Sequence, residues 1–167
     1  MVAFEAVRTV MAVRAYDDRP IPAESVRRIV EAARLTASSM NAQPWHFIVV
    51  EDREQLRKLG AAVGPGPYIA DAALAVVVVL ERSQFAVSDA SRAVQSMVLT
   101  AWAEGIGSNW AGFFGLEAVR PLLGIPESLD VLVVVPFGYP AHALVGSKRR
   151  KPLGEVVHRE RFGQPFA

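Results

Sequence analysis

Three apolar strand-like runs, the helical patterns lying between them, and the small number of both predict an α+β fold. HFIVVE (46–51), AALAVVVVLE (72–81) and LDVLVVVPFG (129–138) are rich in β-branched residues and end at charge, glycine or proline. Amphipathic stretches precede and separate them, yet strands and helices are too few for a doubly wound sheet. A chain of 167 residues can bury one proper core and is short for two, so one domain over residues 1–167 is expected.

From the N-terminus, Val2, Ala6, Val7, Val10 and Met11 recur at helical spacing, which predicts a first helix over residues 2 to about 12. AYDDRPIP is a turn-rich connector, and Pro22 followed by Glu24 opens a helix running to about 36. That helix sets Val26, Ile29, Val30, Ala33 and Leu35 against Arg27, Arg28 and Glu31. After the HFIVVE strand, Asp52 caps a short charged helix to about Leu59, and GPGP at 64–67 breaks the chain. AALAVVVVLE shows no polar alternation and reads as a strand buried on both faces. Ser88 and Asp89 are expected to cap a long helix to about Glu104, which Gly105 and Gly107 end. SNWAGFF is a short extended piece, LEAVRPLLGI a brief helix with Pro121 in its first turns, and LDVLVVVPFG a second buried strand. The segment PLGEVVHRERFG after the basic loop SKRRK follows neither period.

Composition removes several function classes. A net charge of +1 gives no field for nucleic acid or an anionic membrane. The absence of cysteine removes disulfides, thiolate catalysis and iron–sulfur ligation. His46, His142 and His158 have no ligand spacing, so no metal site is expected. Neither a phosphate-binding G-x-x-x-x-G-K-[ST] loop nor a G-x-S-x-G elbow occurs. The N-terminus lacks a signal-peptide pattern and the longest apolar run, residues 72–80, is too short to span a bilayer, so a cytoplasmic protein without membrane partners is expected. A hydrophobic fraction of 51% and a long helix apolar around most of its circumference call for a partner surface, most simply a second copy.

Two stretches carry candidate chemistry. In SSMNAQPW, Asn41 and Gln43 are primary amides that donate and accept at once, which suits a ligand edge with alternating donors and acceptors. The same residues also fit a helix end with Asn41 near the cap and Pro44 blocking re-entry. The KRRK run at 148–151 suits phosphate oxygens, and equally suits a solvated surface.

The ordered set VRAYDDRPIP, TASSMNAQPWHFIVV, SDASRAVQSMVL, EGIGSNWAGFF, VVVPFGYP and KRRKPLGEVVH resembles the nitroreductase family of FMN-dependent oxidoreductases over almost the whole chain. N-x-Q-P-W followed by a strand is its most specific part. The resemblance implies a mostly antiparallel central sheet flanked by helices, in an intertwined homodimer with FMN at the interface. It implies that Ser38, Ser39, Asn41 and Gln43 meet the flavin ring system, that Lys148 and Arg150 meet the phosphate and ribityl region, and that Arg14 and Gly112 complete the cofactor-binding set. No catalytic residue of the protein is implied. The reaction implied is ping-pong: NAD(P)H reduces the flavin, which then reduces an electron-poor small molecule.

One segment departs from the pattern. Val10, Met11 and Ala12 stand where the family has Arg, Arg and Ser, which grip the phosphate. Besides the oxidoreductase, two readings therefore stay open: a flavin- or deazaflavin-binding module without turnover, and a structural dimer that has lost its cofactor.

Overall fold

A computed structural model describes residues 2–112 and 115–166. Helix α1 spans Ala3–Thr9 and α2 spans Ala23–Arg34; a 3-10 turn at Ser39–Asn41 leads to strand β1, Trp45–Val50. Helix α3 (Arg53–Ala62) and a 3-10 turn (Pro67–Asp71) precede β2, Leu74–Glu81. The long helix α4 (Ala86–Ala103) is followed by the short strands β3 (Gly107–Ser108) and β4 (Ala111–Gly112). Helix α5 (Val119–Leu123), strand β5 (Leu129–Gly138) and the single-turn α6 (Leu153–Val156) complete the order. The Phe113–Phe114 end of the expected extended piece lies outside the described residues.

All pairings between named strands are antiparallel, in the order β1-β2-β5-β3, with β4 also on β5. The uninterrupted apolar run of β2 follows from its central position. Val76 and Val78 pack with Ile29, Ala90 and Met97 under α2 and α4, while Ala75, Val77 and Val79 pack with Leu56 and Leu59 under α3. Each pleat thus meets a helical layer, and neither face needs polar side chains. Between Val78 and Val79 the register shifts, leaving Leu132 of β5 as the extra, bulged residue.

Two expected boundaries are corrected. Helix α1 stops at Thr9 rather than near residue 12, because the following chain is drawn into the sheet. Ala12 bridges Ser108, Val13 N–H donates to Ser108 O (2.9 Å), and Asp17 N–H donates to Tyr139 O (2.9 Å). Nor do Ser88 and Asp89 cap α4, which begins at Ala86. The Ser88 hydroxyl bonds Phe85 O inside the first turn, and Asp89 turns inward.

Two glycines permit the close approach of the 12–17 arm. A Cβ on Gly107 would lie 2.7 Å from Val13 Cβ, and one on Gly138 2.7 Å from Tyr16 Cδ1. Both neighbours are buried, and neither is the free end of a flexible side chain. Gly107→Ala and Gly138→Ala are each expected to cost about 1–3 kcal/mol by overpacking. Thermal denaturation checks this, and an unchanged melting temperature in both variants would show that the arm yields freely.

Candidate functional site

Residues 36–45 carry the chain from α2 into β1 through an unusual backbone. Thr36 closes the helix, its hydroxyl bonding Ala32 O (2.9 Å) and Ser96 Oγ (2.8 Å). Met40, Asn41 and Gln43 then adopt φ of 52°, 55° and 50°. Asparagine tolerates this left-handed region, whereas for methionine and glutamine it costs on the order of 1–2 kcal/mol each. Asn41 is not a helix cap, because α2 ends at Arg34 with Leu35 as its C-cap.

What holds the strained turn is a carboxylate fifty positions away in sequence. Asp89 is only 1% exposed. Its Oδ2 accepts the Ser39 N–H (3.0 Å), and its Oδ1 accepts the Ser39 hydroxyl (3.1 Å) and the Arg92 guanidinium. Within the turn, Ser38 Oγ accepts the Gln43 N–H (2.9 Å), and Gln43 Nε2 reaches Asn41 O (3.3 Å). The turn is therefore braced from below, while Met40, Asn41 and Gln43 face outward and exposed. Sequence reading missed this role of Asp89; its place opposite two serines in a turn appears only once α4 is packed on the sheet.

A second group of candidates lies at α1. Lys148 Nζ donates to Val7 O (2.6 Å), satisfying a carbonyl of the last helical turn. The next residue, Arg8, grips Glu5 through Nε and Nη2, the latter at 2.7 Å. The Lys148 ammonium is held below its ordinary pKa, first by desolvation and then by the charges of Arg150 and Arg8. Arg150 itself donates to Arg149 O (2.8 Å). Arg14 stands exposed on the arm between buried Val13 and Tyr16. Tyr16 donates to Val13 O (2.7 Å), and burial pushes its phenol above the ordinary range, so it stays protonated.

Gly112 lies buried on β4 beside Val133, at φ 130°, with its would-be Cβ 2.9 Å from Leu116 Cδ1. The Leu116 methyl can yield, but a φ of 130° is one that other residues rarely adopt, so the backbone itself accounts for glycine there.

The structure brings the amides together and sets Lys148 near Arg150 and Arg8, while Arg14 stands apart on the arm and the amide turn is anchored elsewhere. Asp89 anchors the amide turn near the start of α4. At the other end Trp102 Nε1 donates to Thr9 Oγ1 (2.9 Å), tying down α1. Thirteen residues of helix separate these anchors, roughly 20 Å at 1.5 Å per residue. Beside Thr9 and Trp102 an open cleft of about 670 Å³ is lined also by Gly105, Pro140, His142 and Leu144.

Comparison with known proteins places this arrangement. Residues 7–85 and 75–139 match the model of the nitroreductase family. A protein of Archaeoglobus fulgidus, provisionally named an NADH dehydrogenase/NAD(P)H nitroreductase, is 41% identical over 144 residues, covering 80% of this chain and 83% of that protein. The FMN reductase [NAD(P)H] of Bacillus subtilis is 26% identical over 178 residues, covering 90% and 70% respectively. Among solved structures, an FMN-dependent nitroreductase of Clostridium difficile superposes with a TM-score of 0.87 at 26% identity, covering 97% of this chain and all of that one. The chain belongs to the nitroreductase family. Its antiparallel sheet flanked by helices is the family's fold. Among the described residues no helix is long and apolar enough to cross a membrane.

Proposed function

We propose that the chain is an NAD(P)H-dependent flavin oxidoreductase that binds FMN between two copies of itself and passes electrons to an electron-poor small molecule. The observation carrying this reading is the separation of the two candidate groups along α4. A compact ligand cannot touch both ends of an 18-residue helix in one chain, but it can touch one end from each of two symmetry-related chains. Exposed apolar residues supply the surface for such pairing. On α1 these include Phe4, 73% exposed; on the C-terminal segment, Val145 and Phe162 are 95% and 92% exposed. Surface of this kind is rarely left uncovered.

The residues present fit the cofactor. Asn41 and Gln43, held outward by a braced turn, offer donors and acceptors to a ring edge that alternates the two. Ser38 and Ser39 fix the height of that turn. Lys148 and Arg150 suit a phosphate, and Arg14 on the adjoining arm adds a cation. When bound, the flavin supplies the hydride chemistry, and these side chains orient it and set its electrostatics. In this reading residues 1–167 form one domain, and the enzyme acts in the cytoplasm.

Titration of the cofactor-free protein with FMN, followed by anaerobic addition of NADH or NADPH, tests the proposal. Saturable quenching of flavin fluorescence and bleaching of the flavin band by either nicotinamide are expected. Binding without bleaching would favour the flavin-binding module, a reading supported by the missing donors at Val10, Met11 and Ala12. Absence of binding would remove the proposal.

A further inference from the structure

We propose that Arg8, together with Lys148 and Arg150, forms a phosphate clamp, with Arg8 supplying the donors that Val10, Met11 and Ala12 lack. The proposal deepens the flavin reading above and names the residue that sets preference for a phosphorylated ligand.

The geometry begins with Lys148. Its bond to Val7 O (2.6 Å) pins the start of the basic segment to the last turn of α1, one residue from Arg8. One of its three N–H groups is used, and two remain. The Arg8 fork is fixed by Glu5 through Nε and Nη2, which leaves Nη1 with both hydrogens unspent. Arg150 spends one bond, from Nη1 to the neighbouring Arg149 O. Donors thus remain on all three cations, and two of the three side chains are held in place by bonds to α1.

Charge argues the same way. Three cations meet one carboxylate, Glu5, so the cluster carries an excess of two positive charges. A phosphomonoester at neutral pH carries close to two negative ones. The depressed Lys148 pKa reflects, after desolvation, the push of Arg150 and Arg8, and a bound dianion relieves that push. The residues at 10–12 cannot do this work. Val10 packs its side chain against the core beneath α2 and α4, Ala12 is tied to Ser108, and none of the three bears a polar donor on its side chain.

A merely structural Arg8 would cap the negative end of the α1 dipole and do nothing else. Binding measurements separate the two roles. FMN and riboflavin share the ring and differ in the phosphate, so their affinity ratio reads the phosphate site alone. In Arg8→Gln, FMN is expected to bind about ten-fold or more weaker, with riboflavin within about two-fold of the wild type. Arg8→Lys, which keeps the charge, recovers part of the loss. Arg57→Gln, which removes an exposed cation of α3 across the sheet, leaves the ratio unchanged.

A second arm does not depend on flavin. Inorganic phosphate is expected to raise the melting temperature of the wild type and not of Arg8→Gln. Phosphate protection lost with Arg8, in a protein that binds neither flavin, would retain the clamp and discard the flavin reading. An unchanged FMN-to-riboflavin ratio together with an unchanged phosphate shift in Arg8→Gln would overturn the clamp.

Discussion

Asp89→Ala is expected to lower the melting temperature by on the order of 10 °C and to weaken FMN and riboflavin alike. The carboxylate is buried at 1% exposure and accepts both the backbone N–H and the hydroxyl of Ser39. Hydrogen bonds to a charged group contribute about 1.5–3 kcal/mol each, and the Ser39 N–H is left without its acceptor. Arg92 is half exposed and regains water, so the loss falls short of that for a fully buried ion pair, and a total near 3 kcal/mol is reasonable. For a chain of this size each kcal/mol corresponds to about 2–4 °C. Without the brace, Met40 and Gln43 relax out of the left-handed region and the amides lose their fixed aim. In the proposed site the turn meets the ring and not the phosphate, so the expected loss is equal for the two flavins. Differential scanning calorimetry with parallel flavin titrations decides it. A normal melting temperature with normal affinities would show that the turn holds itself.

Removal of residues 152–167 is expected to convert the protein to monomers at micromolar concentration while leaving Lys148 and Arg150 in place. No described residue from 141 onward is buried. The deleted stretch carries Leu153, Val156, Phe162 and Phe166, all exposed in the single chain. Burying such side chains contributes about 1.5–3 kcal/mol each, so four of them, counted once per copy, are enough to decide between monomer and dimer. Sedimentation velocity on the full chain and the truncation provides the measurement. A full-length monomer would refute the pairing itself. A truncated protein that stays dimeric would place the interface on α1 and α4 alone.

Much of this architecture was legible in the sequence because its signals are local. The β-branched runs gave β2 and β5, Asp52 gave the start of α3 through its bond to the Gln55 N–H (2.9 Å), and Gly105 at φ 78° gave the end of α4. What escaped depends on contacts between distant positions. Asp89 has the composition of a helix cap, and only the packing of α4 shows that Ser39 takes its carboxylate instead. Helix α1 has apolar spacing to Met11, yet sheet bridging at Ala12 overrides it. The left-handed turn contains no glycine to announce it, and the Lys148–Val7 bond spans 141 positions. Asn41 and Gln43 were recognisable as candidates, but their separation from Lys148 and Arg150 could not be read without the length of α4 between them.

The position of β2 in the sheet has a consequence for synthesis on the ribosome. Its run AVVVVL has no charge, proline or glycine, the composition of a segment prone to self-association. Strand β1 has already emerged when β2 appears and can shield one edge, but the other edge waits for β5, which begins at Leu129. At about 5–20 residues per second the intervening chain takes several seconds to translate. Helices α2 and α3 have emerged by then and can cover its two faces in part. Helix α4, the longest among the described residues, completes the cover of the face it shares with α2 while the open edge still waits for β5.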